Sequence, residues 1–549
     1  MSSLRILTAT RASPLLAIAS RTPRGHLTPI HCRYSPLQRR LLASDGRNGH
    51  SASSDPKGAT PGTKHEVHER RPSTSHSEAS SISSTSSSAS SHSTAPSTAP
   101  SFASTPAEPP TKDWEDYRYA DVSGFKDLPS RTFGVNQHML INAELKAAFT
   151  AMLRQFRAPI VFCFAYGSGV FPQGSSERSI TDAEFRAVHP QPPEALLKTQ
   201  KGNPKMIDFI FGVTHTEHWH WLNMRQHPEH YSGLASLGSG AVASVQEKIG
   251  AGVYFNPYVV VNGMLIKYGV TSISNLCHDL SSWETLYLAG RLHKPVKILR
   301  DNAAVRIANQ QNLVGAVRTA LLMLPESFTE FELFSTIAAI SYLGDPRMAL
   351  PTENKNKVSN IVTNNLVNFR RLYAPLVEKL PNIDYVGAGD ANSAVGSPEW
   401  LESLTNHELR QDMDIAKRAN MVRRLPSAFR SRLYFLYQSK FQMTRSEFLA
   451  QMEESMNEDD KGFRKQLGGE FERKIAADPD LSGMVRKAIR ETGHWVNTTQ
   501  SAKGLITAGF SKSWRYMGEK MKRYGEGKKK SAEKEKETTK EGGNGEEKK

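Results

Sequence analysis

Ile160-Val161-Phe162-Cys163-Phe164-Ala165-Tyr166-Gly167-Ser168-Gly169-Val170-Phe171 is the stretch on which the fold turns. Its first six residues form a short apolar run, which predicts a buried strand. The run passes straight into Tyr166-Gly167-Ser168-Gly169, where two glycines flank a serine. Such a turn leaves backbone N–H groups available. It can wrap an anionic phosphate, and the hydroxyl can add a donor. A plain strand-to-helix turn reads the same way, so a second element is needed.

Asp208 supplies that element. It lies inside Met206–Val213 (MIDFIFGV), between apolar neighbours. A lone carboxylate in an apolar strand is costly unless it is paired or binds a metal, and the residues alone leave both open. Further on, Tyr258–Val261 and Met264–Tyr268 flank Asn262-Gly263, a type I′ hairpin signal. Residues 215–226, 278–290, 302–324 and 354–380 read as helices, with Pro325 and Pro346 as breakers. The polar stretch 172–205 reads as an inserted loop. The class is α+β: a mixed sheet, then a helical module.

The ends are different in kind. Residues 1–40 hold seven Arg, no Lys and no acid, the composition of a mitochondrial transit peptide, expected over 1–44. Residues 51–100 hold 17 Ser, too few apolar groups to form a core, so 45–112 is expected as a disordered linker. The Lys/Glu/Gly-rich end, 526–549, reads as a solvated tail. A second Gly/Ser/Ala loop, 386–399, is expected to divide the folded part. That gives a sheet domain over 113–300, a helical module over 301–385 and a helical region over 400–525. The 549 residues include 70 Lys+Arg, 55 Asp+Glu and three Cys. Three cysteines exclude a disulfide-stapled scaffold. No run approaches the ~18 apolar residues of a spanning helix.

A strand, a Gly-Ser turn, then a strand bearing a carboxylate resembles the nucleotidyltransferases of the DNA polymerase β-like superfamily. Phe164-Ala165-Tyr166-Gly167-Ser168-Gly169-Val170-Phe171 is similar, more closely, to the mitochondrial translocator-assembly-and-maintenance family of matrix-side phosphatidate cytidylyltransferases. Further similar blocks follow in order: Asp208-Phe209-Ile210-Phe211, Trp219-His220 with Asn223, His230-Tyr231-Ser232, Gly250–Phe255, Ile266–Val270, Leu286–Arg291 through Val296, and Leu322–Glu326. The resemblance covers 160–380, with a weaker echo at 503–509. It implies a polymerase β-like domain, a helical module that can be winged-helix-like, and a C-terminal amphipathic helix.

The reaction it implies joins CTP to phosphatidic acid, giving CDP-diacylglycerol and pyrophosphate for cardiolipin and phosphatidylglycerol synthesis. The implied site has Tyr166, Gly167, Ser168 and Gly169 on the triphosphate and Asp208 holding Mg²⁺. Lys267, on the second hairpin strand, is expected to be catalytic. His220, Asn223, Arg291 and Lys294 are expected near the nucleotide, and Lys297 is a further candidate. The superfamily's second strand carboxylate is missing, because Ile210 occupies its position. Asp279 and Glu217 are candidates for a replacement. His215, His218, His220, His227 and His230 have spacings that fit no usual zinc site.

A lipid substrate requires contact with a bilayer. Ile506, Phe510, Trp514, Met517, Met521 and Tyr524 recur at helical spacing within 502–524, opposite Lys512, Arg515, Glu519 and Lys522. This pattern fits an interfacial helix on an anionic inner-membrane surface, on the matrix side. A terminal RNA nucleotidyltransferase and a non-enzymatic translocase assembly factor are the alternatives. The first should show a second strand carboxylate and an RNA-binding module; neither is visible, and no nucleic-acid partner is expected.

Overall fold

The computed structural model describes residues 113–174, 181–200, 204–349, 356–386, 395–460, 468–508 and 518. The first apolar run is β1 (Phe162–Tyr166), and the carboxylate-bearing run is β2 (Ile207–Val213). The hairpin joins β3 (Tyr254–Val261) to β4 (Met264–Ser272). Asn262 and Gly263 take φ of 49° and 74°, as a type I′ turn requires. A Cβ on Gly263 would lie 1.8 Å from the Gln191 carbonyl oxygen, so this corner excludes any side chain. β5 (Lys297–Arg300) completes the sheet at its edge. Four residues are too few to show a period, and the sequence reading assigns no strand there.

The strand order is β3-β4-β2-β1-β5. β2 and β4 run parallel, and the other neighbours are antiparallel, so the sheet is mixed as expected. Behind it the helix Ala303–Met323 is buried on almost every side. Its Ala, Val and Leu residues pack against the helices Ile273–Ser282, Glu330–Leu343 and Leu481–Ala508. Arg318 on this central helix grips Glu115 with two hydrogen bonds, at 2.6 and 2.7 Å, and so ties down the segment that precedes the sheet.

Three expectations are corrected. The helix predicted over 278–290 is instead Ile273–Ser282, and it ends at Trp283, whose φ is 58°. The stretch 172–205 is not only loop: Asp182–Val188 and Glu194–Thr199 are helices, the first closed by a Thr181/Glu184 capping box. The loop 386–399 does not divide the fold. It joins β7 (Ile383–Tyr385) to β8 (Glu408–Gln411), and both belong to one small sheet with β6 (Ser327–Thr329). Arg370 spans the same junction, pairing with Glu330 and donating to the Leu401 and Ser403 carbonyls.

The expected transit peptide, linker and charged tail lie outside the described residues, as do Phe510, Trp514, Met517 and Met521. The described helix Leu481–Ala508 reaches the start of the expected interfacial segment. There Lys503 is buried and donates to the carbonyls of Gln246 and Ile249. This portion therefore packs on protein. Among the described residues no helix is long and apolar enough to cross a membrane.

Candidate functional site

Strand register sets three candidate residues in one row. Tyr166 pairs with Asp208 across β1 and β2, and Asp208 pairs with Lys267 across β2 and β4. Lys267 Nζ lies 3.5 Å from Asp208 Oδ1 and 4.7 Å from the Phe255 ring centroid. The two side chains are 26% and 29% exposed, so this is not a sealed internal ion pair. Two residues on, Ile210 is fully buried. Asp208 is thus the one carboxylate that this strand offers to solvent.

The turn after β1 closes over Asp208. Gly167 has φ 81°, and a Cβ there would stand 3.6 Å from Asp208 Oδ2. The Gly167 carbonyl accepts from the Val170 and Phe171 amides at 3.1 and 2.9 Å. Among the described residues the Ser168 and Gly169 amides donate to no protein group. Gly169 does not line the cavity described next. It is the hinge of the turn: its carbonyl accepts from Gln200 Nε2 at 2.8 Å, and a Cβ would collide with the Met206 carbonyl at 2.9 Å.

Tyr166, Gly167, Ser168 and Asp208 form one wall of a cavity of about 270 Å³. Tyr287, Arg291 and Lys294 form a second wall, and Tyr342, Lys357, Asn365 and Asn497 close it from the helical side. Arg291 stacks on the Tyr287 ring at 3.8 Å and donates to the Tyr166 hydroxyl at 3.3 Å. Lys294 Nζ donates to the Gly290 carbonyl and, at 2.7 Å, to the Ser341 hydroxyl. No carboxylate among the described residues pairs with either cation. Burial, then the Arg291 and Lys357 charges, push the Lys294 ammonium down to about 7. A chamber with two cations held only by neutral groups is built for an anion.

Asp279 organises the second wall from below. It is buried, and its Oδ1 accepts from the Thr285 amide and hydroxyl and from the Leu286 amide, at 2.8 to 2.9 Å. Its Oδ2 accepts from the Leu288 and Ala289 amides at 2.8 and 3.1 Å. With both oxygens spent, Asp279 has no lone pair facing the cavity and does not fit the expected role of a second metal ligand. Glu217 does not line the cavity either; it sits beside Gly240. Asn312 pins the same turn, accepting from Trp283 Nε1 and His293 Nε2 at 2.7 and 2.8 Å.

Other expected residues stand elsewhere. His220 and Asn223 are fully buried and away from the cavity wall. His220 bonds Tyr231 and Gln246, and Asn223 donates to the hydroxyls of Tyr231 and Tyr268. Burial lowers the His220 imidazole to about 4, so it is neutral. This placement gives both a scaffolding position rather than contact with a ligand in the cavity. Lys297 donates to the Met139 carbonyl at 2.7 Å and faces away. His227, Glu229 and His230 come within 4.8 Å of one another, a grouping that their sequence spacing does not announce. Lys357, Asn365 and Asn497 carry no local signal, since each reaches the cavity from a distant segment.

A family model described as phosphatidate cytidylyltransferase, mitochondrial, matches residues 149–523. The chain belongs to the mitochondrial phosphatidate cytidylyltransferase family. Among similar proteins of that name, one from Schizosaccharomyces pombe is 34% identical over 71% of this chain and 86% of its own length. One from Xenopus laevis is 36% identical, covering 68% of this chain and 93% of its own. One from Mus musculus is 34% identical, covering 68% and 94%. The family match includes every cavity residue named above and extends beyond the described end of the last helix.

Proposed function

We propose that this chain is a CTP:phosphatidate cytidylyltransferase whose reaction takes place in the cavity between Tyr166–Ser168, Asp208 and Arg291–Lys294. The observation that carries the reading is the meeting, in one chamber, of a glycine-serine turn, an open carboxylate and two cations with neutral partners. A phosphatidate oxygen bonds to the α-phosphorus of CTP, and the bond from that phosphorus to the bridging oxygen breaks. Pyrophosphate leaves with the electron pair. The attacking phosphate monoester is already ionised near neutral pH, so no strong base is needed. Catalysis then rests on holding two anions together and offsetting their repulsion.

In this reading the Ser168 amide and hydroxyl bind phosphate oxygens, and Ser168 is not a nucleophile. Arg291 and Lys294 neutralise the triphosphate and the lipid phosphate; the planar guanidinium suits bidentate contact. Lys267 orients the Asp208 carboxylate. A solvent-reaching carboxylate beside a triphosphate site, with the cavity's other carboxylate, Asp345, paired to Arg347, fits Mg²⁺, which commonly uses one or two carboxylates with substrate oxygens and water. Asp208 would hold it, and the ion would supply charge neutralisation at the transferred phosphate. The antiparallel β1–β2 pair with its Gly-Ser turn supports a polymerase β-like nucleotidyltransferase domain, and the helices with the β6-β8-β7 sheet support a winged-helix-like module. The Arg-rich start and the relatives' printed names favour mitochondria. The pattern over 502–524 favours peripheral contact with the inner membrane from the matrix side.

Purified protein given Mg²⁺, labelled CTP and phosphatidate vesicles should form labelled CDP-diacylglycerol. Asp208→Asn should lower kcat by about 10²–10³-fold, the scale of losing a key transition-state stabiliser. Equal product from Asp208→Asn and wild type would overturn the assignment. Labelling of added RNA instead of lipid would favour the RNA alternative, and no transfer at all would favour an assembly role.

A further inference from the structure

A second cavity adjoins the first. It measures about 910 Å³ and runs between Leu343, Pro346, Met348, Val358 and Trp495. Tyr342 and Asp345 line both cavities. The ammonium groups of Lys294 and Lys357 lie 5.1 and 5.0 Å from the Tyr342 ring centroid. Tyr342 therefore stands where a cationic chamber gives way to an apolar trough.

The Leu481–Ala508 helix runs along both, with Asn497 on the reaction cavity and Trp495 on the trough. It crosses the end of Glu330–Leu343 at a glycine contact: a Cβ on Gly344 would lie 2.8 Å from Gly493 Cα. Asn497 Nδ2 donates to the Gly344 carbonyl at 3.4 Å. The crossing holds the trough beside the anion site. Trp495 is 71% exposed, an indole left at the rim. Tryptophan suits a boundary that is apolar on one side and wet on the other.

We infer that this trough receives the acyl chains of phosphatidate while the lipid phosphate enters the cationic chamber, an inference that rests on the proposed reaction. A ligand with an anionic head and an apolar tail matches both compartments and their junction at Tyr342. A soluble nucleotide would use only the first.

The test uses the full chain, with dioleoyl and dihexanoyl phosphatidate in mixed micelles, and the variants Trp495→Ala and Met348→Asp. Each variant should raise KM for the dioleoyl substrate about tenfold, the scale of lost apolar contact, and leave KM for dihexanoyl phosphatidate and for CTP unchanged. Unchanged short-chain kinetics also show that the variants fold. Equal effects on both lipids, or none, overturn the inference. So does loss of vesicle binding with an unchanged micellar KM, which makes Trp495 a membrane anchor. Phosphatidate carrying a diazirine in its acyl chain should label peptides spanning 342–348 and 490–495. Labelling there without any CDP-diacylglycerol would leave the groove standing and sink the proposed reaction. Product formation with labelling elsewhere would do the reverse.

Discussion

Lys294 holds its ammonium against two neutral oxygens, with Arg291 and Lys357 nearby, and titrates at about 7 in the unliganded chain. A bound triphosphate favours the charged form and raises that value. Below pH 7 the group is already protonated, and binding requires no proton uptake. Above pH 7 each binding event takes up a proton, so CTP affinity should fall with rising pH, approaching about tenfold per unit. Isothermal titration of CTP from pH 6 to 9 should show this slope, and Lys294→Met should flatten it while weakening binding at pH 6.5. Gly167 makes a different prediction. Its φ of 81° costs an L-residue about 1–2 kcal/mol, and relief of that strain would shift the turn that stands in contact with Asp208. Gly167→Ala should lower urea-melt stability by about that amount and reduce kcat/KM for CTP. The glycine signal was legible in the sequence, because a Gly-Ser-Gly turn after a strand restricts what can follow. The Lys294 environment was not, because Ser341, 47 residues away, and Lys357 reach it from distant segments.

The turn 285–289 is an element built around one carboxylate. Five donors converge on Asp279, and that turn leads directly into Tyr287, Gly290 and Arg291 of the cavity wall. Asp279→Asn keeps the shape but places an NH₂ group against backbone N–H donors. We expect a loss of about 2–4 kcal/mol in unfolding free energy, the scale of breaking charge-assisted bonds to a buried group. KM for CTP should rise more than kcat falls, since Arg291 would lose its place while Asp208 keeps its own. Steady-state kinetics at fixed phosphatidate would check the split. Helical periodicity ran the sequence reading through this turn to residue 290. It could not register that a buried Asp captures the amides of its own exit loop, or that Trp283 adopts a left-handed conformation there.

At the scale of the molecule, the last helix is both a core element and the lead into the segment expected to meet lipid. Val485, Ala488 and Ile489 are fully buried, and Lys503 and Thr507 remain buried near its end. A chain ending at residue 508 should therefore keep its CTP Kd within about twofold, a change under ~0.5 kcal/mol, and lose sedimentation with anionic vesicles. A chain ending at 501 should in addition melt at lower temperature, because the Gln246 and Ile249 carbonyls lose Lys503. Differential scanning fluorimetry beside vesicle sedimentation would separate the two losses. Vesicle binding by the 508-residue chain would show that the membrane contact lies elsewhere.

Local chemistry by itself determined the strand–turn–strand core, the Asn-Gly hairpin, the long central helix and the candidacy of the Tyr166–Gly169 turn and Asp208. Each of these is written in contiguous residues, through period, glycine placement or a charge out of keeping with its neighbours. Only tertiary structure decided that these residues share one chamber, that Asp279 and His220 spend their polar atoms on scaffolding, that β7 and β8 close one sheet across the 386–399 loop, and that an apolar trough opens beside the anion site. Those facts depend on contacts between segments far apart in the chain. Packing brings such segments together by burying apolar surface, and no local pattern encodes which polar group will then face which.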